Sequence, residues 1–230
     1  MIDGGSGIWS ATAPNWTNTG GTTNGPMQPV PAFAEFRGAP GTVTIDDSQG
    51  VPAISSMLFN VNGYRLTGGQ LRLQGGPFTS VRTGDGISAR IDSELTGDSG
   101  LLYNALGTLT LTGTNSYTGG TLVSSGTFAL AGNGALYSGG AVAVNGGAVF
   151  DISGLAAAGT TIGDLSGAGT VECCLEGIMH GVFGKVEVSK QANQCCKHRA
   201  RLFAINPVQE VREVFRRILH GRSFVVIILS

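Results

Sequence analysis

The sequence predicts an all-β fold, a stack of β-strand coils, over residues 1–171. Three observations carry this. Short segments alternate apolar and polar residues, as in "GTVTID", "QLRLQGG", "GTLTLTG" and "GTFALAG". Gly pairs at 68–69, 75–76, 119–120, 139–140 and 146–147 stand between such segments. One unit returns: "GTLTL", with Leu109 at its centre, comes back as "GTFAL" around Phe128.

Period-two alternation puts successive side chains on opposite faces of a strand, so one apolar face means burial on one side only. Val43 and Ile45 share such a face, opposite Thr42, Thr44 and Asp46. Leu71 and Leu73, Leu109 and Leu111, Phe128 and Leu130, Val142 and Val144, and Phe150 and Ile152 follow the same rule. A parallel sheet covered by helices on both faces would read as continuous apolar runs instead. The interval from Leu109 to Phe128 makes a unit of about 19 residues, close to the repeat lengths of solenoids. Leu71 stands twice that interval before Leu109, while the other strands drift from this register, so the period is loose. A single coil cannot bury its apolar face, whereas stacked coils can. Thr and Ser fall on the outer face, and the Gly pairs mark sharp turns. The last coil ends near Val171 without a familiar cap, which leaves an edge open to pairing.

Composition divides the chain at this same place. Residues 1–171 hold 34 of the 38 glycines and no Lys, Cys or His, with five Arg against ten Asp or Glu. Residues 172–230 hold all four Cys and all three His, with nine basic against five acidic residues. The formal net charge of −1 is thus a near-cancellation of two unlike parts. Without Cys, the first part has no disulfide staples and depends on stacking. Its acidity argues against nucleic-acid binding, and the tail's run of Lys197, Arg199 and Arg201 is too short to restore it. The start "MIDGGSGIWS" has neither a basic nor an apolar stretch of the kind that directs export.

"GTLTLTGTNSYTGGTLVSSGTFALAGNGAL" closely resembles the autotransporter-associated β-strand repeat of bacterial type V secretion passengers. The motif residues that match are Gly107, Leu109, Leu111, Gly113, Asn115, Tyr117, Thr118, Gly119, Gly120, Thr121 and Gly126. The best-matching repeat covers about 107–131, and the likeness extends over about residues 4–171, with "GIWSATAPNWTN" similar to the start of such passengers. The resemblance implies a right-handed parallel β-helix. It implies a passenger threaded through a C-terminal outer-membrane β-barrel translocator and displayed at the cell surface or released, with host-surface or self-association contacts. The repeat is expected to aid secretion and folding; it names no catalytic residue and no cofactor. Two departures stand out. "GLLYNALGTLTL" replaces the usual Gly-Leu-Val-Lys-type lead, and "ECCLEGIMHG" follows "GAGTV" where further strands are expected.

From Glu172 the tail reads as an unrelated mixed α/β or poorly ordered segment. "NPVQEVREVFRRILHGR" predicts a helix near 207–220, with Asn206 as N-cap, Pro207 in the first turn and Gly221 as the stop. A translocating barrel needs many strands of about ten residues each, and the tail is too short for one.

Chemistry-bearing residues are few. Asp92 and Glu94 in "ARIDSELTG" sit two apart, so a strand would point both the same way as Arg90. Paired carboxylates are what a β-helix polysaccharide lyase or glycoside hydrolase requires; the other reading is a solvated outer face. Cys173, Cys174, Cys195, Cys196, His180 and His198 are the right ligand types for zinc, but their spacing matches no standard pattern. Trp9 and Trp16 could stack on a sugar or cover the first coil. Gly-rich stretches lack the Gly-Lys-Ser/Thr ending of a phosphate loop, so no cofactor is implied.

The break at residue 172 reads as a change of reading frame or a fusion. Translating the flanking DNA in all frames is expected to recover, in another frame, Gly/Thr strands ending in an amphipathic barrel. A flanking region with no such frame would make the tail an integral module.

Overall fold

A computed structural model describes residues 4–174 apart from 28–29 and 158, together with strands 179–182, 185–189 and 197–201. Among these described residues twenty-one strands carry the fold, and no helix occurs. The chain opens with β1 (Gly7–Trp9), the hairpin β2 (Trp16–Thr17) and β3 (Asn24–Gly25), and β4 (Ala32–Phe36). The coils then run through β5 (Thr42–Ile45), β6 (Ala53–Phe59), β7 (Arg65–Gly68), β8 (Leu71–Leu73) and β9 (Phe78–Thr83). They continue with β10 (Ser88–Ile91), β11 (Leu95–Thr96), β12 (Gly100–Leu111) and β13 (Thr121–Gly132). After these come β14 (Val142–Val144), β15 (Val149–Leu155), β16 (Gly159–Ile162), β17 (Leu165–Gly167) and β18 (Thr170–Cys174). The tail contributes β19 (Met179–Val182), β20 (Lys185–Ser189) and β21 (Lys197–Arg201).

Pairing between successive coils of the stack is parallel, which makes a β-solenoid of about six turns. Two long strand faces are in clear register. On one, Val43, Leu66, Ile91, Leu111 and Leu130 form a column that gains one residue per coil. Beside it Ala89, Leu109, Phe128, Phe150 and Val171 form another. On the second face Ala34, Met57, Val81, Tyr103, Val123 and Val144 are stacked. The side chains of all three columns are buried in the core. Stacked rings recur along it: Phe128 and Phe150 lie 6.0 Å apart at 26°.

The interval from Leu109 to Phe128 is a true coil step, since the two are direct register partners. The doubled interval from Leu71 to Leu109 is not a double step. Leu71 pairs with Leu95 on a third, short-stranded side, in a different column from Leu109. Coil length varies because the corners differ in length while the inward columns stay aligned. Polar residues also enter the core, against the expectation that Thr and Ser lie outside. Buried Thr79 and Ser99 share a hydrogen bond of 3.0 Å, and Thr83 bonds the Tyr103 hydroxyl at 2.9 Å. Each hydroxyl is satisfied by its neighbour in the next coil, which removes most of the cost of burying it.

The N-terminal end is covered. Trp9 is 2% exposed, its ring meets Trp16 edge-on at 4.8 Å, and Trp16 meets Phe36 at 5.5 Å. Phe36 in turn stacks on Phe59 at 4.7 Å, which joins this lid to the core. At the other end, where the sequence predicts an open edge, β16 and β18 are paired, while β17 pairs only with β14 among the described residues. β21 runs antiparallel along β18, with Thr170 opposite Arg201 and Cys174 opposite Lys197, and β16 pairs antiparallel with β20. An unpaired strand edge carries backbone donors and acceptors that need partners, and these strands supply them. Parallel pairing thus gives way to antiparallel pairing at the position where the composition changes. The helix predicted near 207–220 lies outside the described residues.

Candidate functional site

The corner between β12 and β13 holds the repeat motif, and its geometry follows from one buried asparagine. Asn115 is 2% exposed. Its Oδ1 accepts a hydrogen bond from the Leu95 N–H at 3.1 Å, in the preceding coil. Its Nδ2 donates to the Gly113 carbonyl at 2.8 Å in its own coil, and to the Ala135 carbonyl at 2.9 Å in the following coil. The backbone adds Asn115 N–H to Ala135 O at 2.9 Å and Ser116 N–H to Leu95 O at 2.9 Å. One amide therefore stitches three consecutive coils where regular strand pairing is interrupted. Asn suits the place because it carries both a donor and an acceptor on a short stem.

Two residues on, Tyr117 is buried and its hydroxyl shares a 2.7 Å hydrogen bond with buried Thr121. Leu109 and Leu111 supply the core face beneath, each fully buried. Thr118 is exposed and donates its N–H to the Gly97 carbonyl at 2.9 Å. The glycines have steric work. Gly119 lies so close to Gly100 N that a Cβ would collide with backbone, as one on Gly107 would with the Ile87 carbonyl and one on Gly113 with the Asp92 carbonyl. Gly120 and Gly126 take positive φ, +78° and +71°, where a side chain is strained.

Asp92 and Glu94 are not on one strand as expected. They fall in the corner between β10 and β11, with buried Ser93 between them. Asp92 accepts from Arg65 of the coil before, Arg90 of its own coil and Thr112 of the coil after. Glu94 likewise accepts from Gln70 at 3.0 Å and Ser116 at 2.5 Å. Each carboxylate is thus a rung between coils. Partial burial alone would raise the Asp92 pKa, but the hydrogen bonds from Thr112, Arg90 and Arg65 outweigh it. They hold the carboxyl below its ordinary range. Sequence reasoning finds Arg90 but misses Arg65, Gln70, Thr112 and Ser116, which become neighbours only when the chain coils. The coil step is the signal that points to them.

A concave cleft lies at the N-terminal lid, lined by Trp9, Trp16, Glu35, Arg37 and Tyr64 among others, and neither Asp92 nor Glu94 borders it. Of the cysteine and histidine candidates, the backbone register sets Cys173 opposite His198, with Cys174 opposite Lys197. His180 stands in the separate β16–β20–β19 sheet, opposite Glu187. Cys195 and Cys196 lie outside the described residues. Among the described residues no three His, Cys, Asp or Glu are grouped to hold a metal.

The parallel solenoid and its Asn-stitched, Gly-lined corner define a class, the repeat-built β-solenoids. Comparison with known proteins agrees. Residues 106–130 match the passenger-associated-transport-repeat family. Over 131 residues the chain is 45% identical to the adhesin BmaC autotransporter of Brucella suis biovar 1. That alignment spans 51% of this chain and 4% of the relative. No solved structure matches the chain. Residues 106–130 thus carry a passenger-associated-transport repeat, and the chain is similar to a small part of an adhesin autotransporter.

A pH experiment tests the coil-bridging role of Asp92. A depressed folded pKa contributes stability that is complete above the unfolded value of about 4 and is lost as pH falls through the folded value. Asp92→Asn is therefore expected to be less stable than the parent near neutrality, by urea unfolding, with the difference closing on acidification. A difference that does not change with pH would contradict the assignment.

Proposed function

We propose that this chain is a segment of a surface-displayed, adhesin-like passenger and that its work is mechanical rather than catalytic. Stacked coils extend a stiff rod, and each coil that forms outside the cell resists return through the translocation pore. The intact protein then requires an outer-membrane β-barrel translocator at its C-terminal end. The observation that carries this reading is the Asn115 corner. It lies inside the segment that matches the transport repeat, and its side chain binds coils to one another rather than facing a ligand.

The enzymatic reading has less support. A glycoside hydrolase needs one carboxyl that keeps a proton and another that activates a nucleophile. Asp92 is held ionised by two guanidinium groups and a hydroxyl. Glu94 is engaged by Gln70 and Ser116.

The test places the chain between an export signal and an outer-membrane barrel in a Gram-negative host. Asn115→Ala leaves the buried Leu95 N–H without its acceptor, a cost of about 1–3 kcal/mol. The variant is expected to be less stable by that amount in urea, and to reach the surface less, read by protease access on intact cells. Leu106→Ser, at an exposed position of the same segment, is expected to display like the parent. Normal display of a measurably destabilised Asn115→Ala would detach the repeat from export. Sugar release from a polysaccharide, abolished by Asp92→Asn, would overturn the non-enzymatic reading.

A further inference from the structure

Four Asn-Gly pairs occur in the chain, at 24–25, 62–63, 133–134 and 145–146. In sequence they are equivalent, and the fold separates them. An Asn-Gly bond rearranges when the Gly nitrogen attacks the Asn side-chain carbonyl carbon. This needs a free Gly N–H, a movable Asn side chain and room for the ring.

Three of the pairs are held. The Gly63 N–H donates to the Ser88 carbonyl at 3.0 Å, and Asn62 Oδ1 accepts from the Ser88 N–H at 2.6 Å. The Gly134 N–H donates to the Ala131 carbonyl at 2.9 Å, and Gly134 is buried. Gly25 stands opposite Trp16 in the β2–β3 hairpin. The Asn18 N–H bonds the Thr23 carbonyl at 3.0 Å, so alternation along an antiparallel ladder makes 16–25 the next hydrogen-bonded pair.

Asn145–Gly146 combines all three requirements; Gly25 is equally open, but its N–H faces Trp16 in the hairpin ladder. It occupies an exposed turn between β14 and β15, closed by the Ala148 N–H on the Asn145 carbonyl at 3.0 Å, with Gly147 at φ +87°. The Gly146 N–H has no hydrogen bond among the described residues. A Cβ on Gly146 would meet nothing nearer than the Ala168 carbonyl at 4.0 Å, so the space around it is open. Asn145 Nδ2 reaches only Ser124 Oγ, at 3.4 Å, beyond the usual range for such a bond.

We propose that Asn145 is a site of spontaneous succinimide formation, selected by the turn from four identical dipeptides. Hydroxide takes the Gly146 amide proton, and the nitrogen forms a bond to Asn145 Cγ. The Cγ–Nδ2 bond breaks, and the side-chain nitrogen leaves as ammonia. Water then opens the imide at either carbonyl and gives Asp or isoAsp. The product adds a negative charge to a solenoid that already holds more acidic than basic residues. The isoAsp form also adds a backbone methylene to a corner whose length sets how β15 lands on its column. The turn is thus an uncatalysed covalent timer on an exposed rod.

The full chain, incubated in warm and mildly alkaline buffer, is followed by peptide mapping that separates Asn, Asp and isoAsp. Asn145 is expected to convert at least about tenfold faster than Asn62 or Asn133, which react only from locally opened states. In strong urea the four pairs are expected to convert at similar rates. Gly146→Ala, at a position open enough to take the methyl group, is expected to suppress conversion while the other three stay unchanged. Equal rates across the pairs in the folded chain, or Asn24 leading, would overturn the proposal.

Discussion

Everything in this fold depends on one constraint: each coil must return its inward residues over those of the coil below. A strand stands roughly 4.8 Å from its neighbour, and a coil exposes nearly all of its backbone donors and acceptors to the next. Register is therefore both the hydrogen-bond ladder and the core. A coil whose inward column slipped by one residue would turn Leu109 or Phe128 to solvent and bury Thr in its place. The column from Val43 to Leu130 keeps its alignment although the chain length between its members changes from coil to coil. The corners absorb the difference.

Corners are consequently where the solenoid is vulnerable and where its polar side chains are concentrated. Strand ladders satisfy themselves; corners do not. Asn115, Asp92 and Glu94 each use side-chain atoms to reach the coil before and the coil after. The three solve the same problem with different chemistry. The neutral amide works inside, where a charge would be costly, and the carboxylates work at the partly wet outer surface. Residues that look like a binding or catalytic set in sequence thus do structural work in three dimensions. Repeats of this kind gain stability from each neighbour interface, which suits a protein whose proposed task is to extend a rod.

Much of this is legible in the sequence, for a physical reason. Alternation with one apolar face and a recurrent Gly/Thr texture leave few other folds, and Leu109 and Phe128 are register partners as their spacing predicts. Leu71 is not placed by counting, because an interval cannot tell which side of a coil a strand occupies. The partners of Asp92 escape for a related reason, since they are near only after coiling. The buried Thr79–Ser99 and Thr83–Tyr103 pairs are also illegible, because either hydroxyl alone reads as an outer-face residue. The lid is half legible: two tryptophans in a Gly-rich leader allow either a ligand platform or a cover, and Trp9 is the cover. Nor does sequence distinguish the edge at β18 from an open one, since its partner β21 lies well beyond it in the chain.

The central claim, that coils stack in this register, is tested most directly by a cross-link. Thr108 and Thr127 are register partners on adjacent coils, and both are partly exposed. Partner residues on neighbouring strands fall within the Cα separation that a disulfide spans, about 4.4–6.8 Å. With the four native cysteines replaced by serine, Thr108→Cys with Thr127→Cys is expected to oxidise readily within one chain. Thr108→Cys with Phe128→Cys, whose side chains lie on opposite faces, is expected not to. If the second pair closes and the first does not, the coils are offset by one residue and the register described here is wrong.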